Sequence, residues 1–336
     1  MKTIKFALIG CGRIAQRHAE QIHRLGELSA VCDIKESAAL ALSEKYNCRP
    51  YFNIDMLLSN EPDLDVVSVC TPNYLHAEHS IKSLKAGNHV LCEKPMALSV
   101  RDCENMIYTA EQTNRRLFIV KQNRYNPPVV ELKKVIEENR LGKIFYVQLN
   151  CFWNRNEDYY LQSDWKGRLD KDGGTLYTQF SHFIDLLVWL FGDFKNVKVL
   201  LQNYLHPNIE FEDTGAVLIE FCNGAIGTIN YTVNSYQKNM EGSITVFGSK
   251  GTVKIGGQYL NALEYQNIED YSFQNVTPVN KANDYGFYQG SMSNHDKVYE
   301  NVVNVLNGQD TIATNAIEGL KVVRIIEDIY SQSKLK

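Results

Sequence analysis

Lys94 is the first residue whose context suggests catalysis. It follows a short apolar stretch with strand character in the run His89-Val90-Leu91-Cys92-Glu93-Lys94-Pro95. Doubly wound folds bind their ligands at the carboxyl ends of parallel strands. A partly desolvated amine close to another positive charge has a lowered pKa, which suits proton transfer near neutral pH. We therefore expect Lys94 to be catalytic, the alternative being a solvated surface lysine. Pro95 also allows a cis peptide bond.

His182 is the second catalytic candidate. It lies in a strongly apolar stretch that begins after the pair Gly173-Gly174. At 100° per residue Thr178, His182, Asp185 and Trp189 share one narrow stripe, and apolar residues cover the rest of the helix. Polar groups on a helix buried nearly all round need partners, which a ligand cleft can supply. A satisfied core histidine is the alternative, but the glycine turn and the lysine favour catalysis.

The run Gly10-Cys11-Gly12-Arg13-Ile14-Ala15 predicts a phosphate-binding turn. It follows the apolar run Ile4–Ile9 and opens a helix-like stretch. The first glycine permits a tight turn, the second lets the backbone approach a pyrophosphate, and the small Ala15 allows close helix packing. The amino end of a helix then faces the phosphates. We expect four residues here to contact a dinucleotide: Gly10, Gly12, Arg13 and Ile14.

Asp33 predicts which dinucleotide is bound. It directly follows the second strand-like run, Leu28–Cys32, where a carboxylate accepts both ribose hydroxyls and repels a 2′-phosphate. The sequence therefore favours NAD over NADP as cofactor. A helix cap is the alternative role for Asp33, and Lys35, two residues later, is the one nearby feature that argues for NADP.

The first part of the chain has the pattern of a Rossmann domain. Short β-branched runs alternate with helical stretches from residue 4 to about 122. This alternation predicts a parallel sheet covered by helices on both faces, a doubly wound α/β fold over residues 1–122. Pro127-Pro128, which a helix interior would not tolerate, marks the predicted domain boundary.

A second domain of α+β type is predicted over residues 123–336. After one more helix, strand-like runs follow one another with turn signals such as Asn223-Gly224 between them. Consecutive strands of this kind favour a largely antiparallel, open sheet. Two helical stretches, His295–Leu306 and Ala316–Ser331, close this domain.

Composition excludes several classes of function. The 336 residues suggest two domains, and a formal charge of −4 gives no positive field to attract nucleic acid or anionic lipid. The apolar run Phe183–Phe191 is far shorter than the ~20 residues of a membrane span, and the amino terminus does not resemble a signal peptide. The eight cysteines stand singly, without the spacing of zinc ligands. We expect a cytoplasmic protein with structural thiols and no metal.

Four motifs, in their order along the chain, resemble those of the Gfo/Idh/MocA oxidoreductase family. They are Gly10 to Ala15, Thr71-Pro72-Asn73 with His76, Glu93-Lys94-Pro95, and Gly173-Gly174 with His182 and Asp185. The resemblance covers essentially the whole chain. It implies a Rossmann domain, an α/β domain whose open sheet mediates dimers or tetramers, and hydride transfer between NAD(P) and sugars, inositols or nucleotide-sugars. It also places further residues at the cofactor: Thr71, Pro72, Asn73, His76, Glu93, Lys94 and Gln122.

One departure from the family pattern narrows the expected substrate. Members that oxidise inositol carry aspartate at the position of Thr178 and glycine at that of Phe180, which makes those activities less expected here. The stretches around 121–128, 153–168 and 175–182 instead resemble the branch that acts on UDP-N-acetylglucosaminuronic acid. That branch oxidises the C3 hydroxyl and so prepares a 3-oxo sugar for transamination in surface-polysaccharide (O-antigen, lipopolysaccharide) assembly. 2-Oxoglutarate is a possible hydride acceptor that would regenerate NAD.

Cationic and aromatic residues near the predicted cleft fit an anionic substrate. Arginine suits bidentate capture of carboxylate or phosphate, and aromatic rings can stack on a uracil or a sugar. The alternatives are scattered solvated charges and core aromatics. The expected substrate contacts are Arg124, Tyr125, Asn126, Arg155, Tyr159, Tyr160, Trp165, Lys166, Arg168, Thr178, Gln179 and His182.

For the chemistry itself we favour His182 as the base and Lys94 as the charge that stabilises the developing alkoxide, although the sequence leaves these two roles interchangeable. Two other functions stay open. One is an NAD-dependent dehydrogenase of another sugar or polyol, and the other is a regulator that binds NAD or sugar without chemistry. Because alternating residues in Ala216–Phe221 and Ala225–Val233 put apolar side chains on both sheet faces, we also expect a homodimer or homotetramer.

Overall fold

The computed structural model describes residues 2–274, 276–277, 281–284, 286 and 289–333. Two units make up the chain. The first unit joins the segment ending at Lys121 to His295–Val323, and the second joins Gln122–Asn294 to the segment beginning at Arg324. The predicted domains, 1–122 and 123–336, differ from this division because residues 295–323 group with the first unit and Gln122 groups with the second.

The first unit is built on six parallel strands in the order β3-β2-β1-β4-β5-β6. The central strands are largely apolar because helices cover both faces of a parallel sheet, although β4 carries the buried Ser68. The strand order reverses between β1 and β4, and this reversal is the point at which doubly wound sheets bind ligands. The strands are β1 (Lys5–Ile9), β2 (Glu27–Cys32), β3 (Arg49–Tyr51), β4 (Val66–Val69), β5 (His89–Cys92) and β6 (Leu117–Ile119).

Five helices alternate with these strands, which confirms the predicted Rossmann pattern. The third strand and the third helix were absent from the sequence prediction. A 3₁₀ turn at Asn73–Leu75 precedes the fourth helix. The helices are α1 (Ala15–Leu25), α2 (Glu36–Tyr46), α3 (Ile54–Asn60), α4 (His76–Lys85) and α5 (Val100–Gln112).

The second unit contains a seven-stranded sheet in the order β13-β12-β11-β7-β10-β9-β8. Neighbouring strands are antiparallel except β10 and β7, which are parallel, so the prediction of a largely antiparallel sheet is confirmed. A separate hairpin follows the sheet. The strands are β7 (Ile144–Phe152), β8 (Phe194–Gln202), β9 (Thr214–Phe221), β10 (Ile226–Thr232), β11 (Glu241–Gly248), β12 (Gly251–Gly256), β13 (Ala262–Ile268), β14 (Ala282–Asp284) and β15 (Gln289–Met292).

The two faces of this sheet differ. One face is buried beneath aromatic side chains of the helical segment 176–191, with Phe180 against Tyr231 and Phe191 against Phe221. On the other face Leu218 remains 58% exposed, and Leu200 is also exposed. The apolar residues on this second face are the ones that the predicted oligomer would cover.

Three helices belong to the second unit and two close the chain. Pro127 and Pro128 start the first of them, because proline suits the opening turn of a helix. His295 and Tyr299, on the ninth helix, lie against His18 of α1. No helix among the described residues combines the length and apolarity that crossing a lipid bilayer requires. The helices are α6 (Pro127–Glu137), α7 (Glu157–Leu161), α8 (Ser181–Phe191), α9 (His295–Leu306) and α10 (Ala316–Ser331).

Candidate active site

The turn between β1 and α1 has the geometry of a phosphate-binding loop. Gly10 has φ +91°, and a Cβ there would come within 2.7 Å of the Cys70 backbone, so this position requires glycine. A Cβ at Gly12 would meet no described atom within 4 Å. The backbone at Gly12 is therefore open to a ligand, at the amino end of α1. Arg13 is exposed on this turn, and Ile14 occupies the N-cap of α1.

Asp33 is fixed against the same turn. Its Oδ2 accepts the backbone N–H of Cys11 at 2.7 Å, and its Oδ1 accepts that of Lys35 at 2.8 Å. Asp33 does not cap α2, whose N-cap is Lys35. A carboxylate has about four acceptor positions, so each oxygen can still accept a ribose hydroxyl.

His76 lies between the ends of β4 and β5. Its Nε2 is 2.8 Å from the carbonyl of Thr71, and its Nδ1 is 2.6 Å from the carbonyl of Pro95. Burial lowers the pKa of His76, and a neutral ring has one N–H to donate. His76 thus contacts one carbonyl of each turn and, when neutral, donates a hydrogen bond to only one of them. Asn73, three residues earlier, is also buried.

Glu93 and Lys94 follow β5 as the sequence predicted. The Glu93 backbone N–H donates to Val69 on β4 at 3.0 Å, and the side chain is buried. Burial alone would raise the pKa of Glu93, but the hydrogen bond with His18 and the nearby ring of His295 lower it well below its usual range. Lys94 is half-buried, and the Lys94-Pro95 peptide bond is cis.

Gln122 begins the second unit. Its carbonyl accepts a hydrogen bond from Asn294 at 3.3 Å, and its buried side-chain Oε1 has no partner among the described residues. This amide oxygen is an acceptor that a ligand can use. Lys121, the residue before it, is buried just beyond β6, and the sequence reasoning did not include it among the site residues.

His182 lies in the first turn of α8, behind an irregular segment. Residues Leu176–Phe180 form a π-helical turn, so the uniform 100° spacing assumed from the sequence does not extend back to Thr178. Gly174 has φ +129°, and a Cβ there would collide with Tyr330, whose hydroxyl accepts the Leu176 N–H at 3.0 Å. His182 itself is buried.

Asp185, on the predicted polar stripe, has an arginine partner. Arg124 donates two hydrogen bonds of 2.7 Å to its carboxylate, and both side chains are buried. The guanidinium also lies 5.0 Å from the ring centroid of Trp189. The charge of Arg124, which the sequence assigned to the substrate, is therefore compensated inside the protein.

Neighbours of Arg124 are also engaged by the protein. The Asn126 amide donates to the carbonyls of Tyr259 and Leu260 and accepts from Asn294 at 2.7 Å. Tyr125 is half-buried. The geometry thus gives Asn126 a structural function, and any contact of Tyr125 with substrate stays a prediction.

Four of the predicted substrate residues come together in one cluster. Arg155 donates to the Oε1 of Gln179 at 2.7 Å, and the Gln179 amide donates to the hydroxyl of Tyr159 at 2.7 Å. The ammonium of Lys166 lies 3.6 Å from the centroid of the Tyr159 ring. We call Arg155, Gln179, Tyr159 and Lys166 the cationic cluster. In this cluster the Gln179 amide links the guanidinium of Arg155 to Tyr159, and the ammonium of Lys166 contacts the same tyrosine ring directly.

Other predicted substrate residues lie outside this cluster. Tyr160 packs in the core against His206, with ring centroids 5.2 Å apart, and Trp165 is half-buried. Arg168 is exposed and pairs with Asp170 at 3.2 Å. Arg168 therefore fits the alternative of a solvated surface charge.

Two buried carboxylates were missed by the sequence reasoning. The hydroxyl of Thr178 donates to Asp172, which also accepts the backbone N–H of Gly167 at 2.8 Å. A carboxylate therefore lies directly beside Thr178, whose own side chain cannot ionise. Glu212 accepts hydrogen bonds from Tyr231 and Tyr330, and burial raises its pKa to about 7. The sequence signal for Asp172 was its position beside the glycine pair.

Comparison with protein families establishes the membership of this chain. A model of an oxidoreductase family with an NAD-binding Rossmann fold matches residues 4–121, and the model of its C-terminal alpha/beta domain matches residues 133–336. The chain belongs to the Gfo/Idh/MocA oxidoreductase family. It is an NAD-dependent oxidoreductase of a family that contains sugar and polyol dehydrogenases, and the expected family and cofactor are confirmed.

Two solved dehydrogenases resemble the chain over nearly its whole length. The WlbA dehydrogenase from Bordetella pertussis, in complex with NADH and UDP-GlcNAcA, is 34% identical, with a TM-score of 0.89 over 98% of this chain and 96% of that one. The WlbA dehydrogenase from Chromobacterium violaceum, with the same two ligands, is 35% identical, with a TM-score of 0.90 over 99% and 94%. The myo-inositol 2-dehydrogenase of Thermotoga maritima is 27% identical over 74% of either chain.

Proposed function

We propose that this chain oxidises the C3 hydroxyl of UDP-N-acetylglucosaminuronic acid to a ketone, with NAD as the hydride acceptor. The observation that carries the proposal is the cationic cluster, in which Arg155 and Lys166 offer positive charge beside the ring of Tyr159. A sugar with a carboxylate and a diphosphate calls for such charges, and a neutral polyol does not. The likeness to two dehydrogenases solved with UDP-GlcNAcA supports the same substrate.

The first unit provides what NAD requires. Gly10 shapes the turn, the open backbone at Gly12 can approach a pyrophosphate, and Asp33 offers carboxylate oxygens to the adenosine ribose. When bound, NAD supplies the acceptor for the hydride that leaves the sugar carbon. Thr71, Pro72, Asn73 and Gln122 are proposed as further contacts.

The protein's own part in the reaction is to take the hydroxyl proton and to stabilise the charge left behind. Thr178 cannot ionise, so we assign the base to His182 and the stabilising positive charge to Lys94. The proton moves from the C3 hydroxyl to a ring nitrogen of His182 as the C–H bond breaks. The ammonium of Lys94 favours the developing alkoxide electrostatically.

The wider setting follows from the chemistry of the product. A 3-oxo sugar is a substrate for transamination, which fits a step in the assembly of surface polysaccharides. We propose that 2-oxoglutarate regenerates NAD, that the enzyme is cytoplasmic, and that it works as a dimer or tetramer. A dehydrogenase of another sugar or polyol is the second candidate, supported by the 27% identity to an inositol dehydrogenase.

A substrate panel tests the proposal. The purified protein is incubated with NAD and with UDP-sugars that carry or lack the carboxylate, with free sugars and with inositol, each with and without 2-oxoglutarate. Reduced nicotinamide is followed by absorbance. We expect turnover on UDP-N-acetylglucosaminuronic acid to exceed that on UDP-N-acetylglucosamine, which keeps the diphosphate but lacks the carboxylate, by at least about a hundredfold, because a positive charge of the site would lose its carboxylate partner. Equal turnover of inositol would contradict the proposal.

A matched pair of arginine variants tests the cationic cluster. Arg155→Met is expected to raise KM for the acidic sugar at least about tenfold, the effect of about 1.4 kcal/mol of lost binding. Arg168→Met, which removes an exposed arginine paired with Asp170, serves as the control and should leave KM unchanged. An equal effect of the two variants would remove the cluster from the proposal.

Lys94→Ala and His182→Ala test the assignment of the chemistry. Each should reduce turnover about 10²- to 10⁴-fold, as general acid and base groups typically contribute, while NAD binding stays close to normal. Calorimetry measures the binding and initial rates measure the turnover. Retention of more than about a tenth of the wild-type rate by both variants would refute the assignment.

A further inference from the structure

A chain of buried polar side chains runs through the first unit and ends at Glu93. Ser68 on β4 lies 2.8 Å from the hydroxyl of Tyr299 on α9, and that hydroxyl lies 2.8 Å from Nδ1 of His18 on α1. The Nε2 of His18 is 2.8 Å from Oε1 of Glu93, and His295 brings its Nε2 to 3.5 Å from the same oxygen. All five side chains are buried. We call these residues the relay.

The relay has one consistent arrangement of protons. Glu93 is ionised and accepts only, so Nε2 of His18 carries the hydrogen that points at it. Burial lowers the pKa of His18, which leaves its Nδ1 as an acceptor for the single O–H of Tyr299. Ser68 must then donate to the oxygen of Tyr299. The donors of Ser68, Tyr299 and His18 therefore each have one defined acceptor, and the hydrogen bond from His18 holds the carboxylate in one orientation.

The other oxygen of Glu93 holds the backbone of Lys94. In the ladder between β5 and β6 the N–H of Val90 donates to Arg116, and alternate residues of a parallel strand continue such a series. Lys94 lies four residues after Val90, so its N–H would be a donor to the neighbouring strand if the pattern continued. It donates instead to Oε2 of Glu93 at 3.0 Å. The Glu93 carboxylate thus replaces the next strand as acceptor for the Lys94 N–H, and it fixes the backbone of Lys94 at the end of β5.

We propose that Glu93 is a positioning residue for Lys94, and that His18, Tyr299 and His295 serve to fix its carboxylate. This inference rests on the proposed catalytic function of Lys94. A displacement of about 1 Å at a reacting group can cost 10²-fold in rate, so the anchor of a flexible four-carbon side chain matters for turnover. The same contacts explain why α9 groups with the first unit.

Glu93→Gln tests the proposal, because the amide keeps the size of the side chain and loses its charge. We expect kcat to fall at least about tenfold while the dissociation constant of NAD changes less than about threefold. Glu61→Gln is the matched control. Glu61 is equally buried in the same unit, bonded to Tyr51 and Arg49, and its variant should keep wild-type kcat.

A double-mutant cycle separates positioning from a general structural effect. If Glu93 acts through Lys94, then Glu93→Gln in a Lys94→Ala background should change the residual rate by less than about twofold. The same loss in both backgrounds would overturn the inference. Full activity of Lys94→Ala would overturn the proposed catalytic function of Lys94. If Lys94→Ala is inactive but Glu93→Gln has normal activity, the catalytic function of Lys94 stands and only the positioning role of Glu93 is overturned.

Graded variants keep the test valid should Glu93→Gln fold poorly. Tyr299→Phe removes the donor to His18 and should lower kcat by several-fold, and Ser68→Ala, one step further away, should lower it less. Equal effects at both positions would contradict the relay.

The relay also presents three possible metal ligands within 4.8 Å of one another. Elemental analysis is expected to find well below one metal ion per chain, and a stoichiometric ion lost in Glu93→Gln would overturn the hydrogen-bonded arrangement.

Discussion

Glu212→Gln provides a thermodynamic test of the second unit's interior. Glu212 is fully buried, and its carboxylate accepts hydrogen bonds from Tyr231 at 2.9 Å and from Tyr330 at 2.7 Å. Burial raises its pKa from 4.5 to about 7, the negative charge of Asp172 adds to this, and the two tyrosines oppose it. The folded state therefore holds a proton that the unfolded chain releases.

The sign of the effect follows from this difference. Between pH 4.5 and 7 the folded state binds more protons than the unfolded state, so the free energy of unfolding falls as pH rises through this window. At 1.36 kcal/mol per pKa unit, the loss between pH 5 and pH 8.5 is about 2.5 kcal/mol. Glutamine is neutral at every pH and keeps an acceptor oxygen. The variant should thus gain about 2.5 kcal/mol relative to the wild type over the same interval.

Urea unfolding followed by tryptophan fluorescence measures this gain. The protein has three tryptophans, Trp153, Trp165 and Trp189, and all lie in the second unit, so the signal reports on that unit. Other titrating groups cancel when variant and wild type are compared at each pH. Glu220→Gln, which alters an exposed carboxylate whose pKa is lowered by Lys195, is the control and should show no gain of this sign. A difference between Glu212→Gln and wild type that does not change with pH would refute the reasoning.

Three further predictions concern the cofactor, the core and assembly. Asp33→Ser removes the charge that repels a 2′-phosphate, so the ratio of the NADP and NAD dissociation constants measured by calorimetry should fall by about tenfold or more. Equal binding of the two cofactors by the wild type would contradict the assignment. Arg124→Met leaves Asp185 buried without its partner and should cost about 3–5 kcal/mol of unfolding free energy, most of which Arg124→Met with Asp185→Leu should recover. Leu218→Lys charges the exposed sheet face and should shift a dimer or tetramer to smaller species in light scattering, while a wild type that is monomeric at micromolar concentration would remove the basis of this prediction.

Local patterns account for the parts of the fold that the sequence predicted. Gly10 and the strand before it form one short segment, so spacing alone identifies the turn. The strand Arg49–Tyr51 was missed because three residues with a central proline show no alternation, and it is an edge strand, where proline is tolerated. The grouping of α9 with the first unit depends on contacts with His18, which lies far away in the sequence and leaves no periodic signal.

The candidate site divides in the same way. Lys94 and Asp33 could be predicted from the sequence because each follows a strand, and doubly wound sheets bind their ligands at the carboxyl ends of the strands. The partner of Asp185 was not predicted, because Arg124 lies 61 residues earlier. The sequence also does not distinguish an arginine that binds substrate from one that pairs with a buried carboxylate. The π-helical turn was missed because a wheel of 100° per residue assumes a regular helix.

The first unit is interrupted in the chain by the whole of Gln122–Asn294. A ribosome that adds about 5–20 residues per second therefore needs roughly ten to forty seconds between completing β6 and completing α9. During that interval His18 and Glu93 lack Tyr299 and His295, the groups that bury and bond them in the finished protein. The first unit therefore stays incomplete until α9 has been synthesised, and a fragment that stops at Lys121 contains all six strands of the sheet but lacks Tyr299 and His295.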